Sequence, residues 1–121
     1  MIDPRILARR IVTICQASRI NVSTEAAAHN DLAAALSAVG LTVQREVKLS
    51  ARDRIDVLVE GVGVEVKVQG SRRSILKQLE RYAESEQITA LVLATSAAWP
   101  AGFATVNNKP FFHASLVRGW L

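Results

Sequence analysis

Three charged residues stand inside a stretch that otherwise reads as two apolar strands. In "RIDVLVEGVGVEVKV", residues 54–68, Asp56, Glu65 and Lys67 interrupt runs of valine and isoleucine on either side of a glycine-bearing turn. Charged groups are depleted in strands and costly to bury without a partner. Either one face of this hairpin is solvated or the three groups act together. Two carboxylates and an amine at this spacing suit cation-assisted hydrolysis. The carboxylates would hold Mg²⁺, with a substrate phosphate and waters completing its octahedron. The lysine would hold an attacking water or stabilise developing phosphorane charge.

The turn decides whether these groups can meet. With Gly61 and Val62 at the centre of a type II′ hairpin, Leu58 is expected opposite Glu65, and Asp56 opposite Lys67. All three charged groups then share one face, while Ile55, Val57, Val59, Val64, Val66 and Val68 fill the other. Opposed β-carbons lie about 5 Å apart and the Asp56–Glu65 diagonal spans roughly 7–8 Å, a gap a cation can bridge. Asp56 and Glu65 become the carboxylate ligands, with the backbone carbonyl of Val66 in reach of the same ion, and Mn²⁺ is expected to replace Mg²⁺. A three-residue loop would instead send the two acids to opposite faces. The plainer alternative is a cross-strand Asp56–Lys67 ion pair on a wet face, with Glu65 exposed.

Around this hairpin the periodicity predicts a supporting frame. Asp3 and Pro4 open a first helix as N-cap and first helical residue, with Leu7, Ile11 and Ile14 or Cys15 following at helical spacing. A second helix runs from Ser23 or Thr24 to Gly40. "LTVQREVKL" alternates, placing Leu41, Val43, Val47 and Leu49 on one face of a first strand. The hairpin adds two strands, "SRRSILKQLERYAESEQ" a third helix, "ITALVLAT" a buried strand and "FFHASLV" a closing strand, with "SAAWPAGFATVNNKP" as a long loop. The expected fold class is α/β: one domain over residues 1–121, with a mixed five-stranded sheet flanked by helices.

"RID" followed across the glycine turn by "EVK" resembles the core of the PD-(D/E)XK nuclease superfamily, the restriction-endonuclease-like fold, over about residues 24–95. Ile55 stands where many members carry proline. The resemblance implies a metal-dependent DNA nuclease of small phage-type or Holliday-junction-resolvase-like character. It assigns metal binding to Asp56 and Glu65 and the hydrolytic step to Lys67. Glu25 resembles the glutamate that many members carry beside the metal, and it lies on one helical stripe with His29, Leu32 and Leu36. Dipole stabilisation of the first turn is its structural alternative, and His29 reads as a core or boundary residue. "QLERY" places Gln78 and Tyr82 one turn apart, similar to the Q-x-x-x-Y signature of RecB-like branches, which positions DNA and the catalytic strands. A plain core tyrosine with a polar neighbour is the alternative.

Basic residues flank the presumed site. Arg45, Lys48, Arg52 and Arg54 precede it, Arg72, Arg73, Lys77 and Arg81 follow, and the last three share a helical stripe that suits a phosphate backbone. The chain has 15 Lys and Arg against 11 Asp and Glu, a net charge of +4 that favours a polyanionic partner such as DNA. Half its residues are hydrophobic, which argues against disorder. No apolar run nears the roughly 18–20 residues that span a bilayer, and the N-terminus lacks the apolar centre of a secretion signal. No membrane partner and a cytoplasmic location are expected. The lone Cys15 cannot form an internal disulfide or complete a zinc pattern. Trp99 and Phe103 are candidates for stacking on bases, with core or lid packing as the expected role. The size fits a homodimer or a component of a larger assembly. A noncatalytic nucleic-acid-binding module that keeps the nuclease fold is the rival reading.

Overall fold

Capping residues set the helix boundaries. The computed structural model describes residues 2–120, and in it α1 (Pro4–Ala17) opens on Asp3, whose side chain accepts the Arg5 amide proton at 2.8 Å. Leu7, Ala8, Ile11 and Cys15 form its buried stripe. Thr24 caps α2 (Glu25–Ala38) by accepting the Ala27 amide at 3.0 Å. The helix closes at Gly40, whose φ of +88° few other residues adopt. There the Leu41 amide returns to the Leu36 carbonyl and the Gly40 amide to that of Ser37, a Schellman ending. Ser71 caps α3 (Arg72–Ala83), which buries Ile75, Leu79, Tyr82 and Ala83. No described helix is long and apolar enough to cross a membrane.

The helices cover both faces of a mixed sheet with strand order β1-β2-β3-β4-β6-β5. β1 (Gln44–Lys48), β2 (Arg54–Val59) and β3 (Val62–Lys67) form an antiparallel meander. β4 (Ala90–Thr95) lies parallel to β3 and to β6 (Lys109–Ser115), and β5 (Thr105–Val106) pairs antiparallel with β6. On one face Leu7, Ile11, Leu32 and Leu36 from α1 and α2 pack on Val57, Val64, Val66 and Val92. On the other, Ile75, Leu79 and Tyr82 from α3 pack on Ile55, Leu58, Leu91 and Phe111. The sheet therefore has six strands, not five. The additional one is β5, in the segment expected as loop: Asn107 and Asn108 take φ of +46° and +66°, a left-handed pair that asparagine tolerates and a two-residue hairpin requires.

The β2–β3 turn also differs from expectation. Val59 pairs with Val62, so Glu60 and Gly61 are the central residues, with φ of +47° and +88°. This is a type I′ geometry. A non-glycine residue in the left-handed region costs about 1–2 kcal/mol. Keeping Val62 in the strand buries it completely, worth about 1.5–3 kcal/mol, and the burial wins. Leu58 now faces Gly63, where a β-carbon would come within 2.4 Å of Ile55. Asp56 comes level with Glu65 rather than Lys67.

A second departure lies one strand over. Leu41 and Val43 pack in the α1/α2 core, but Val47 and Leu49 pack in the α3 core. Likewise Val57 belongs to the α1/α2 core and Ile55 to the α3 core. Both strands therefore exchange faces at the same level, between the Arg45–Val57 and Val47–Ile55 pairs. Glu46, at φ +50°, and Asp56 sit at that level. Strict alternation through both segments, as expected from sequence, does not hold, because a bulge-like distortion there resets the pleat.

Candidate active site

The distortion turns Asp56 toward β3. The ladder between β2 and β3 stops at Val57–Val64; in a continuing register the next hydrogen-bonded pair would be Ile55 with Val66. Instead the Val66 amide donates to Asp56 Oδ2 at 2.8 Å, and the Asp56 amide donates to Glu65 Oε1 at 3.3 Å. Where the backbone pairing stops, two carboxylates take up amides of the facing strands. Further along the same edge, the Val68 amide donates to Glu25 Oε1 at 3.4 Å, so α2 delivers its first residue to the same strand.

Glu65 is the most buried of these groups, at 3% exposure. Its Oε2 lies 3.2 Å from the Tyr82 hydroxyl and 3.5 Å from Lys67 Nζ. Burial first, then the neighbouring Asp56 charge, push its pKa up to about 8 against the pull of Lys67. The hydrogen-bond inventory agrees. Gln78 Nε2 donates to the Tyr82 hydroxyl at 2.6 Å, and the Arg54 carbonyl, which can only accept, lies 3.0 Å from it. The single hydroxyl proton cannot serve both Arg54 and Glu65. A proton on Glu65 removes the conflict, since Tyr82 then donates to Arg54 and accepts from Glu65 and Gln78. Burial, followed by the Glu65 charge, drives Tyr82 well above the ordinary phenol range.

The structure thus brings Asp56, Glu65, Lys67, Gln78 and Tyr82 into one network, with Glu25 on the adjoining strand edge. At 1% exposure, Tyr82 holds the strands and Glu65 in place and does not reach a polymer at the surface. Among the described residues, no group of three or more His, Cys, Asp or Glu side chains is arranged to hold a metal ion. The donor set is a pair of carboxylates, which matches the one or two that Mg²⁺ commonly takes from protein. A divalent ion held there would take its remaining ligands from backbone, water and substrate.

The basic residues divide. Lys48, Arg52, Arg54, Arg72, Arg73 and Lys77 are exposed. Arg81 is not a free member of the expected stripe: its Nε lies 3.1 Å from Asp53 Oδ1, tying α3 to the turn before β2. Arg45 is also engaged, donating to His29 Nε2 at 3.3 Å and to Asn30. Glu46 is exposed and Cys15 is buried, its thiol pushed up to about 12 by burial. Sequence reading missed Asp53, whose partner lies 28 residues away, and the pair formed by Thr95 and His113, 2.7 Å apart on β4 and β6. Nothing local marks either contact; only the strand order brings them together. No protein-family model, curated protein or solved structure matches this chain.

Proposed function

We propose that the protein is a metal-dependent deoxyribonuclease whose active site is Asp56, Glu65 and Lys67. The observation that carries this reading is the replacement of backbone pairing by carboxylates: Asp56 on the Val66 amide, Glu65 on the Asp56 amide, and Lys67 Nζ 3.5 Å from Glu65. A fold does not give up ladder bonds and bury an acid without a compensating use for the group. Asp56 and Glu65 would hold Mg²⁺, with the Val66 carbonyl as backbone donor, Glu25 as an accessory acid and Mn²⁺ as a substitute. The bound ion supplies charge neutralisation at a phosphate and acidifies water.

The chain's own groups do the rest. Tyr82 fixes Glu65 and the Arg54 backbone together, and Gln78 fixes Tyr82. Lys67 lines the pocket beyond Glu65, and its amine would hold the attacking water or stabilise charge on the phosphorane oxygens. Exposed Lys48, Arg52, Arg54, Arg72, Arg73 and Lys77 supply the sequence-independent attraction for the DNA backbone, with Arg45 and Arg81 shaping the elements that carry them. A homodimer with two such sites would suit a junction-resolving enzyme.

The Glu65–Lys67 contact also favours a second reading, a DNA-binding module without turnover, because an acid paired with an amine partly neutralises itself. One experiment separates the two. DNA binding and nicking are measured with Mg²⁺, Mn²⁺ and EDTA on linear, flapped and four-way-junction substrates. Metal-stimulated nicking that disappears in Glu65→Ala supports the nuclease; metal-indifferent binding without nicking supports the module.

A further inference from the structure

Beyond Lys67 the surface opens into a cavity of about 220 Å³. Its walls are two cations, Lys67 and Arg72, the Gln69 amide, the apolar Ile75 and Ala98, and the Trp99 indole. We infer that this cavity is a subsite for one unpaired nucleotide of the substrate, adjacent to the scissile position. The inference rests on the nuclease reading, because Lys67 belongs to both sites.

Trp99 points to the class of ligand. It is the one aromatic residue among those that line the cavity. The ring itself is held: Phe103 and Phe111 lie 6.2 and 6.3 Å from it, centroid to centroid. The segment leading to it is pinned where Thr95 Oγ1 donates to the Ala97 carbonyl at 2.6 Å and meets His113 Nε2 at 2.7 Å. A fixed aromatic wall suits a flat heterocycle, since every base has a π-face. Two cations at the same cavity suit the phosphate attached to it.

Size makes the nucleotide an unpaired one. The volume lies below the range that holds drug-sized ligands, so it admits a single ring system and not a base pair. A base inside a duplex is stacked on both sides and cannot enter. The substrate must therefore offer a flap, a gap, a frayed end or a single strand. Stacking on Trp99 is indifferent to sequence, since every base has a π-face. The site then selects structure without reading sequence.

The test uses the full chain in EDTA, so that binding is read without cleavage. The probe is a DNA duplex carrying one unpaired 2-aminopurine, compared with the same duplex fully paired. The expected result is affinity for the unpaired probe about tenfold or more above the paired one, the scale of one base stack, with quenched 2-aminopurine fluorescence. Trp99→Ala should remove both preference and quenching, Trp99→Phe should keep them, and Arg72→Glu should weaken binding of the unpaired probe. Because Trp99→Ala risks disturbing the Phe103 and Phe111 packing, photocrosslinking of 5-iodouracil at the unpaired position is mapped in the unaltered protein and should land on Trp99. Equal affinity for both duplexes, a preference that survives in folded Trp99→Ala, or a crosslink away from this cavity overturns the subsite. A chain that shows the preference in EDTA but never nicks DNA with Mg²⁺ sinks the nuclease reading instead, and Glu65→Gln that loses nicking but keeps the preference supports both.

Discussion

The two ends of the β2–β3 hairpin are made of the same two strands and do opposite things. At the turn end, Val57, Val59, Val62 and Val64 pair backbone to backbone and are fully buried. At the open end, the ladder stops and carboxylates take over its amides. The first arrangement stabilises by removing apolar surface from water. The second buries an acid beside another acid, which costs stability and is, on the proposed function, where the cation would sit. The closed end anchors the open one: the distortion at Asp56 persists because the valine pairs beside it over-determine the register.

Removing the acid at the open end should have the largest effect. Glu65→Ala is expected to abolish Mg²⁺-stimulated cleavage, a loss of roughly 10³-fold or more, equivalent to about 4 kcal/mol of transition-state stabilisation. Circular dichroism should show the fold retained. Equal turnover in that variant would break the comparison at its functional end.

The pH dependence of metal-free stability comes next. Glu65 is raised in the folded chain, from 4.5 to about 8. Between those values the folded state keeps a proton that the unfolded chain has released, so its contribution is complete below about pH 4.5 and is lost as pH rises toward 8. At about 1.4 kcal/mol per unit, the loss is on the order of a few kcal/mol. Urea melts at pH 5 and pH 8 should show it. Glu65→Gln should flatten the slope, and so should saturating Mg²⁺.

At the closed end the signature should be reversed. Val57→Ala is expected to cost about 2–3 kcal/mol of stability, read as a lower urea midpoint, while the folded fraction keeps its cleavage rate. A smaller, mixed effect is expected where the ends meet. Tyr82→Phe keeps the ring in the α3 core but frees Gln78, Arg54 and Glu65, so metal affinity or activity should fall by about 10–100-fold, as for other groups that orient a ligand. A Tyr82→Phe protein with unchanged metal affinity and rate would show that the hydroxyl only packs.

The contrast between the two ends also explains what could be read in advance. Asp3 and Gly40 mark helix ends through short-range chemistry and act as such in the structure, and of Ser23 and Thr24 it is Thr24 that caps α2. The spacing of Gln78 and Tyr82 placed them one turn apart on α3, where they do meet. The turn was ambiguous because Gly61 serves equally as first central residue of a II′ turn or second of a I′ turn; burial of Val62 decides, and burial is a tertiary property. The face exchange at Glu46 and Asp56 left no local trace, since neither residue type announces a left-handed or bulged backbone. "TVNN" hid a strand of only two residues. Arg81 looked like a free cation because its partner Asp53 is remote in sequence.

The central claim is that Asp56 and Glu65 together make one divalent-cation site, and Mn²⁺ titration followed by electron paramagnetic resonance addresses it most directly. The unaltered chain should take up one ion per protomer at this site, with uptake lost in both Asp56→Asn and Glu65→Gln. Uptake that survives in both variants, or no uptake at millimolar Mn²⁺, would contradict it.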